Sequence, residues 1–409
     1  MKPSVAVLTA SPEFAQAVKG EARRLGFELA GITTPEPPAH LEVYEHWLKQ
    51  GRQGEMRYLE TERALERRHD PRLLLPGCRS IIVLGARYSS PFDRVTSAEG
   101  FRGTVAAYAW GSDYHELLPE QMQRLVTFIQ ERAGTAFAYR CVSDTAPLLE
   151  RELAQRAGLG WIGKNTCLIH PQKGSFFLLA EILIDLELAT DPAFPADRCG
   201  ACRRCIDACP TGCVQASAPW MPGDRTLDAR RCLSYLTIEL KGAIPPELRP
   251  ALGEWVFGCD ICQQVCPWNI RFANSSIVNE NEDLLPGFAA RPGVPDPLLI
   301  DDLALEPDGF NLKFRHSALK RAKRRGYRRN VAVALGNLAA AGVPSVLKDE
   351  AVSALSRALV KDPEPLVRSH AAWALGRIGN AVAREALNRA AQVESDESVR
   401  QEIYQAMFK

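Results

Sequence analysis

Two runs of cysteine constrain what the middle of this 409-residue chain can be. The first is Cys199-x-x-Cys202-x-x-Cys205-x-x-x-Cys209-Pro210, and about fifty residues on comes Cys259-x-x-Cys262-x-x-x-Cys266-Pro267. This is the thiolate spacing of a two-cluster ferredoxin: three cysteines of a run hold one 4Fe-4S cubane and the fourth, before proline, crosses to the other. A zinc site closes with four ligands and leaves no use for a third C-x-x-C step followed by C-x-x-x-C-P. Twelve cysteines are an even number, but a disulfide framework compensates for a small core, and a chain of this length does not need one. The apolar stretch Val5 to Leu8 after Met1-Lys2-Pro3 is too short for a signal-peptide core, and no twin arginine precedes it. Reduced, metal-ligating cysteines and a cytoplasmic protein are expected.

Two cubanes take eight thiolates, and the runs offer seven. Cys232, in Arg231-Cys232-Leu233-Ser234-Tyr235, is the natural eighth, ahead of Cys213, which follows Cys209 by four residues. The crossing rule gives one cluster Cys199, Cys202, Cys205 and Cys266, and the other Cys209, Cys232, Cys259 and Cys262. Cys78, Cys141, Cys167 and Cys213 are left as small buried hydrophobes.

Composition sets outer limits. No apolar run approaches the roughly 20 residues of a membrane span. A net charge of +1 is not that of a wholly basic nucleic-acid binder, but charge is local. From Lys313 to Arg329 there are nine Lys or Arg residues and no Asp or Glu. A block of this kind either solvates a helix face or engages phosphates.

The chain divides into three parts. Residues 1–190 mix helical patterns (Phe14 to Leu25, Tyr114 to Arg132, Pro147 to Ala157) with apolar runs of strand type (Ser80 to Ala86, Thr104 to Tyr108, Phe176 to Ile184), which predicts an α/β or α+β sheet domain. Residues 191–275, opened by the loop Asp191-Pro-Ala-Phe-Pro195, form the ferredoxin-like part. Residues 276–409 form a connector, Asn274 to Pro297, followed by helical repeats. There Tyr327 to Gly336 matches Val367 to Gly376 at an offset of 40, and Ala354 to Arg368 matches Ala386 to Arg400 at 32. Val-Arg recurring before an Ala-rich helix resembles HEAT repeats stacked as a solenoid; an ordinary helical bundle is the plainer alternative.

Two nucleotide motifs fail on context. Gly158-Leu-Gly160-Trp-Ile-Gly163 fits G-x-G-x-x-G but runs from a helix towards a strand, the reverse of the dinucleotide-binding order. Gly158 to Lys164 fits G-x-x-x-x-G-K, but Asn165 stands where a P-loop needs Ser or Thr. Asp113-Tyr114-His115 starts like a loop that ligates cobalamin through histidine, without the glycine that should follow.

Several separate motifs nevertheless occur in one order: Arg68-x-Asp70-Pro71, Tyr108-Ala109-Trp110-Gly111-x-Asp113-Tyr114-His115, Asp144-Thr145-Ala146-Pro147-Leu148-Leu149-Glu150-Arg151, Gly158 to Asn165, the cysteine runs, and Cys232 to Gly242. Together they resemble the epoxyqueuosine reductases, in the long form with HEAT-like repeats. The resemblance spans residues from about 55 to 270. It implies an oxidoreductase of tRNA modification that reduces epoxyqueuosine at the wobble position to queuosine, the last step of queuosine biosynthesis. The implied cofactors are two 4Fe-4S clusters and cobalamin bound base-off. The implied partners are tRNA and a low-potential donor such as ferredoxin or flavodoxin, and a monomer is expected.

The family's general acid falls on Asp144, where burial beside a corrinoid would keep the carboxyl protonated. The same Asp-Thr-Ala-Pro is also the pattern of a helix N-cap with proline in the first turn. Cobalamin contacts carry over to Arg68, Asp144, Lys164, Asn165, Ser234, Cys259 and Asp260. Against these stand a solvent-facing Arg68 in a charged run and a tight turn with a solvated Lys164. Tyr108 and Trp110 are candidates for the substrate pocket, or else core and surface aromatics of a strand. Lys320, Arg321, Lys323, Arg324, Arg325, Arg328 and Arg329 are the candidates for tRNA phosphates. A corrinoid reductive dehalogenase for a small molecule and a non-catalytic two-cluster electron carrier are the alternatives.

Overall fold

Ser80 to Arg87 is a continuous apolar run, as a strand covered on both faces should be, and it lies at the centre of the main sheet. The computed structural model describes residues 5–90, 92, 100–195, 197–215, 225–273 and 285–408. Packing gathers the chain into two units, each assembled from separate stretches: 1–93, 111–229 and 261–289 in one, 94–110, 230–260 and 290–409 in the other. The cysteine stretch is shared between them, and residues 274–284 of the expected connector lie outside the described residues.

The first unit holds a four-stranded sheet of β1 (Leu29–Thr33), β2 (Ser80–Arg87), β3 (Tyr139–Val142) and β4 (Phe177–Ile184), in the order β1-β2-β4-β3. Every pairing is antiparallel, with Ile81 opposite Leu183 and Ala30 opposite Leu84. The α+β alternative therefore holds for this unit. The strand expected over Phe176 to Ile184 is present, and the helix expected over Tyr114 to Arg132 is α4 (Tyr114–Ala133), capped by Asp113 and ended by Gly134 at φ +67°. Helix α1 (Pro12–Arg24) opens with Ser11 as its cap and packs on β1, while α4 packs on β3 and β4. Helices α2 (Leu41–Lys49) and α3 (Glu62–His69) lie between β1 and β2 in the chain. One face of the sheet is an apolar layer of Leu29, Ile81, Val83, Val142 and Leu183, closed by Leu153, Ala154 and Ala157 of α5 (Glu150–Arg156). Cys78 belongs to this layer, as expected of a small buried hydrophobe.

The glycines of the failed nucleotide motifs have a plainer use. A Cβ on Gly160, at φ +154°, would meet the Ile169 carbonyl oxygen at 2.2 Å, so this turn needs glycine for backbone approach.

In the second unit, Trp255–Phe257 pairs in parallel with Thr104–Val105. The strand expected over Thr104 to Tyr108 stops there, because Asp260 accepts the Ala107 N–H at 2.7 Å and turns the chain into a 3-10 segment over Ala107–Ala109. Helix α6 (Leu233–Ile238) follows Cys232. Five helices form the tail: α7 (Lys323–Ala340), α8 (Ser345–Lys361), α9 (Pro365–Ile378), α10 (Ala381–Val393) and α11 (Glu397–Met407). They explain the offset of 40. A Cβ on Gly336 of α7 would stand 2.6 Å from the Cβ of Ala374 in α9, and one on Gly376 of α9 would stand 2.7 Å from that of Ala406 in α11. Alternate helices thus touch through a glycine at the same place in each repeat, as a stacked solenoid requires. The arginine of the recurrent Val-Arg does equivalent work: Arg368 holds Glu394 at 2.7 and 2.9 Å, and Arg328 pairs with Asp362.

Candidate active site

Asp144 sits at φ +53°, a left-handed backbone that asparagine and aspartate tolerate better than other side chains. Helix α5 begins only at Glu150, with Leu149 at its cap position, so Asp144 is not an N-cap. It stands on the loop before the helix with its side chain 69 % exposed. Three contacts fix it. The Asp144 N–H donates to Glu150 Oε1 at 2.8 Å, the Tyr114 hydroxyl donates to Asp144 Oδ2 at 3.0 Å, and His115 Nε2 approaches the same oxygen at 3.9 Å. The burial expected of Asp144 belongs instead to its neighbours. Half-buried Glu150 is pushed up to about 7, by desolvation first and then by the Asp144 charge. Glu181, wholly buried on β4, is raised well above the ordinary carboxyl range by desolvation and then by Glu150 and Asp144.

Asp144 and Glu150 line a cavity of about 860 Å³, with walls that include Tyr44, Trp47, Leu148 and Trp161. Arg63, Arg67, Arg68, Arg151 and Arg225 supply its positive charge. Arg68 is buried rather than solvent-facing: its guanidinium lies 5.0 Å from the Tyr44 ring centroid and donates to the Ala64 carbonyl at 3.2 Å. Burial lowers its pKa from the usual arginine value. An apolar-walled cavity of this size with a few charged groups suits a large organic cofactor carrying amides and a phosphate.

Lys164 and Asn165 do not line that cavity. The Lys164 ammonium donates to the carbonyls of Gly200 and Cys202 at 2.6 and 2.9 Å and so holds the first cysteine run in shape. Asn165 is buried, and its amide nitrogen reaches the Cys262 carbonyl at 3.4 Å. Both residues serve the cysteine loops, which corrects the expectation of direct cofactor contact.

Within the first unit, Cys199, Cys202 and Cys266 surround Cys205 closely enough to raise its thiol pKa; together with burial, the leading cause, they bring it to about 11. Cys266, from the second run, therefore lies with three cysteines of the first, as the crossing rule requires. Trp161 Nε1–H points at Cys199 Sγ at 3.5 Å and Arg225 at 3.8 Å, donors that favour a thiolate. Among the described residues no three His, Cys, Asp or Glu side chains close on a single ion; a cubane instead takes one thiolate at each of four irons. Of the second expected set, Cys209 and Cys262 belong to the first unit, and Cys232 and Cys259 to the second. Cys213, unassigned from the sequence, stands 3.4 Å from Cys209 Sγ, and its hydrogen bond leads the causes that lower Cys209 to about 4. That places Cys213 beside a ligand-type thiolate as a donor.

The remaining expected residues lie in the second unit. Asp260 is 2 % exposed and occupied with the Ala107 N–H, which makes it a brace for the turn rather than an open cofactor contact. Ser234 and Cys259 are half-buried. Trp110 is buried, with its indole N–H given to the Val105 carbonyl at 2.8 Å, so it is a core residue and not a pocket wall. Tyr108 remains half-buried against Phe257. The basic block divides. Arg329 is fully buried and donates to the carbonyls of Leu236, Leu240 and Gly242; Arg328 is buried on Asp362 and the Leu303 carbonyl; Arg324 is mostly buried and bound to the Leu305 carbonyl. These three are withdrawn as phosphate ligands. Lys320, Arg321, Lys323 and Arg325 are exposed, with Arg321 paired to Glu239.

Sequence reasoning missed Glu181. Its signal was a single acidic residue inside Phe176 to Ile184, an otherwise apolar run.

Comparison with known proteins agrees with the motifs. Residues 68–145 match the family model for epoxyqueuosine reductase QueG, DUF1730; 198–269 match a 4Fe-4S double cluster binding domain; 312–407 match HEAT repeats. The epoxyqueuosine reductase of Pseudomonas aeruginosa is 40% identical over 89% of this chain and 94% of its own length, and that of Escherichia coli is 36% identical over 89% of each. A crystal structure of selenomethionine-labelled epoxyqueuosine reductase superposes with a TM-score of 0.82 at 31% identity, over 97% of this chain and 98% of the other. A second, of epoxyqueuosine reductase with a tRNA-Tyr epoxyqueuosine-modified stem loop, gives 0.81 at 31% identity over the same shares. The Bacillus subtilis structure, also at 0.81 and 31% over the same shares, is described with its catalytic aspartate loop swung out of the active site. Among the described residues no helix is long and apolar enough to cross a membrane.

Proposed function

Because the chain belongs to the epoxyqueuosine reductase family, we propose that it reduces epoxyqueuosine at the wobble position of tRNA to queuosine. The two alternatives from sequence, a small-molecule dehalogenase and an electron carrier without catalysis, give way to that family. In this reading residues 1–190 carry the catalytic cavity, 191–275 the two clusters, and 276–409 the repeats that hold tRNA.

The observation that carries the chemistry is the Asp144 carboxyl, exposed on a loop at the cavity and oriented by Tyr114 and Glu150. An epoxide oxygen leaves as water only if it gains protons as its two C–O bonds break, and Asp144 is placed to give one. Its loop position agrees with the relative whose catalytic aspartate loop swings out. Cobalamin, when bound, supplies a strongly reducing centre, and the clusters supply electrons one at a time. Tyr44, Trp47, Leu148 and Arg68 are the residues that would hold the corrinoid, apolar walls against its ring and the cation towards its polar side chains. Cys199, Cys202, Cys205 and Cys266 would hold the first cluster, with Lys164 fixing their loop and Trp161 donating to Cys199. Cys209, Cys232, Cys259 and Cys262 would hold the second, with Ser234 close by in sequence. Lys320, Arg321, Lys323 and Arg325 would meet tRNA phosphates, and Tyr108 the modified base.

The test is anaerobic. Reconstituted protein, cobalamin, a low-potential reductant and tRNA carrying epoxyqueuosine should lose one oxygen from the base by mass spectrometry. Conversion without cobalamin would remove the corrinoid from this reading, and no conversion by the fully loaded protein would end it.

A further inference from the structure

Glu181 is the least expected residue in the first unit. On β4 it stands opposite Val83 of β2 and Val142 of β3, with Leu179 and Leu183 before and after it on the same face. It is 0 % exposed, and neither carboxyl oxygen has a hydrogen-bond partner among the described residues. Buried carboxyls that serve architecture are hydrogen-bonded, and an apolar residue here would complete the layer at lower cost. The charged groups acting on Glu181 are Glu150, from α5, and Asp144, from the loop before it. Those acting on Glu150 are Asp144, Arg151 and Arg68, while Tyr114 and His115 meet Asp144. Three carboxyls thus run from the sheet interior to the cavity, the middle one already bonded to the backbone of the outermost.

We propose that Glu181 and Glu150 are a proton relay behind Asp144, with Glu181 as the store and Glu150 as the link. The inference rests on the reading of the chain as an epoxide reductase. Removing the oxygen takes two electrons and two protons: both C–O bonds break, a C=C bond forms, and two O–H bonds make water. Asp144 carries one proton at a time. After it gives the first, a proton passes from Glu150 to Asp144 and from Glu181 to Glu150, and Asp144 gives the second. Glu181 is left ionised until solvent returns a proton along the same line. Its neutral form is the resting one, since desolvation and two nearby carboxylates oppose its charge. Glu181 and Glu150 act through Asp144 and are positioning residues, not catalytic ones.

The experiment compares wild-type holoenzyme with Glu181→Gln and Glu181→Leu under excess low-potential reductant, following oxygen loss from tRNA across pH. Glutamine keeps the shape without the proton, and leucine fills the apolar layer. Both variants should stay within about twofold of wild type at pH 6, where solvent protons are plentiful, and fall roughly tenfold or more behind at pH 8. A small diffusible acid such as imidazolium should restore much of the loss. Isotope-edited infrared on glutamate-labelled protein, independent of turnover, should show a protonated carboxyl at pH 8 that Glu181→Leu removes. A wild-type pH profile in Glu181→Gln overturns the relay. So does an equal loss at every pH that small acid leaves unrelieved, or the absence of a protonated carboxyl at pH 8. Wild-type holoenzyme that leaves epoxyqueuosine intact overturns the relay together with the functional reading; a relay that fails alone is recognised by normal wild-type conversion.

Discussion

Arg329→Ala separates the two roles that a run of positive charge can play. The Arg329 guanidinium is fully buried and donates to Leu236 O at 2.6 Å, Gly242 O at 2.7 Å, Leu240 O at 2.8 Å and Asn330 Oδ1 at 2.9 and 3.0 Å. Alanine strands three carbonyls in a space that leaves little room for water. Each buried group left without a partner costs about 1–3 kcal/mol, and partial relaxation makes about 4 kcal/mol a reasonable sum. For a unit of this size each kcal/mol shifts the melting temperature by about 2–4 °C, so a fall of roughly 8–16 °C is expected. Arg329→Lys should recover part of it, because an ammonium has three donors but lacks the planar fork. The assay is thermal unfolding of the holoprotein, beside tRNA binding measured well below the transition, where affinity should stay within about twofold. A melting temperature within about 2 °C of wild type, joined to a loss of tRNA affinity, would refute the reasoning and return Arg329 to the phosphate interface.

Reversal of Lys320, Arg321, Lys323 and Arg325 to glutamate should do the opposite, leaving the melting temperature nearly unchanged. In salt titrations of tRNA binding, the log–log slope should fall by about 0.7–0.9 for each phosphate that the variant no longer neutralises. Asp144→Asn should retain cobalamin and iron and slow epoxide reduction by about 10²–10⁴-fold in single-turnover assays; near-normal turnover would show that another group protonates the oxygen. Glu181→Leu should stabilise the protein increasingly as pH rises. The folded carboxyl holds its proton above the ordinary glutamate range, so below that range folded and unfolded chains are equally protonated. As pH climbs, the unfolded chain ionises first and wild type loses stability that the leucine variant keeps. Chemical denaturation at pH 5 and pH 8 should show the larger gain at pH 8.

The parts legible in the sequence were those in which a residue's neighbours along the chain decide its environment. Cysteine spacing anticipated Cys266 beside Cys199, Cys202 and Cys205 because the ligand geometry is written into short intervals. The helical repeat was readable because Gly336 and Gly376 mark one packing contact 40 residues apart. Direction within the sheet was not readable: alternating helices and strands are compatible with parallel or antiparallel order, and only the pairing of Ile81 with Leu183 decides. Charge was misleading in both directions. Arg328 and Arg329 look like surface in a row of cations, yet one face of α7 turns them inwards, while Glu181 looks like an interruption of a strand and is the centre of its layer. Asp144 read as a cap because Asp-Thr-Ala-Pro is a local pattern; the bond from its N–H to Glu150, six residues on, delays the helix to that residue.

The discontinuous build of the first unit sets a timetable for synthesis. Its last stretch, residues 261–289, brings Cys266 to the thiols of Cys199, Cys202 and Cys205. A ribosome adding about 5–20 residues per second takes roughly 3–12 s to travel from Cys205 to Cys266. Throughout that interval the nascent chain displays three cysteines of a quartet whose fourth member has not been made. Iron delivered then would meet an incomplete cage, so cluster loading on this chain belongs after residue 289 has emerged.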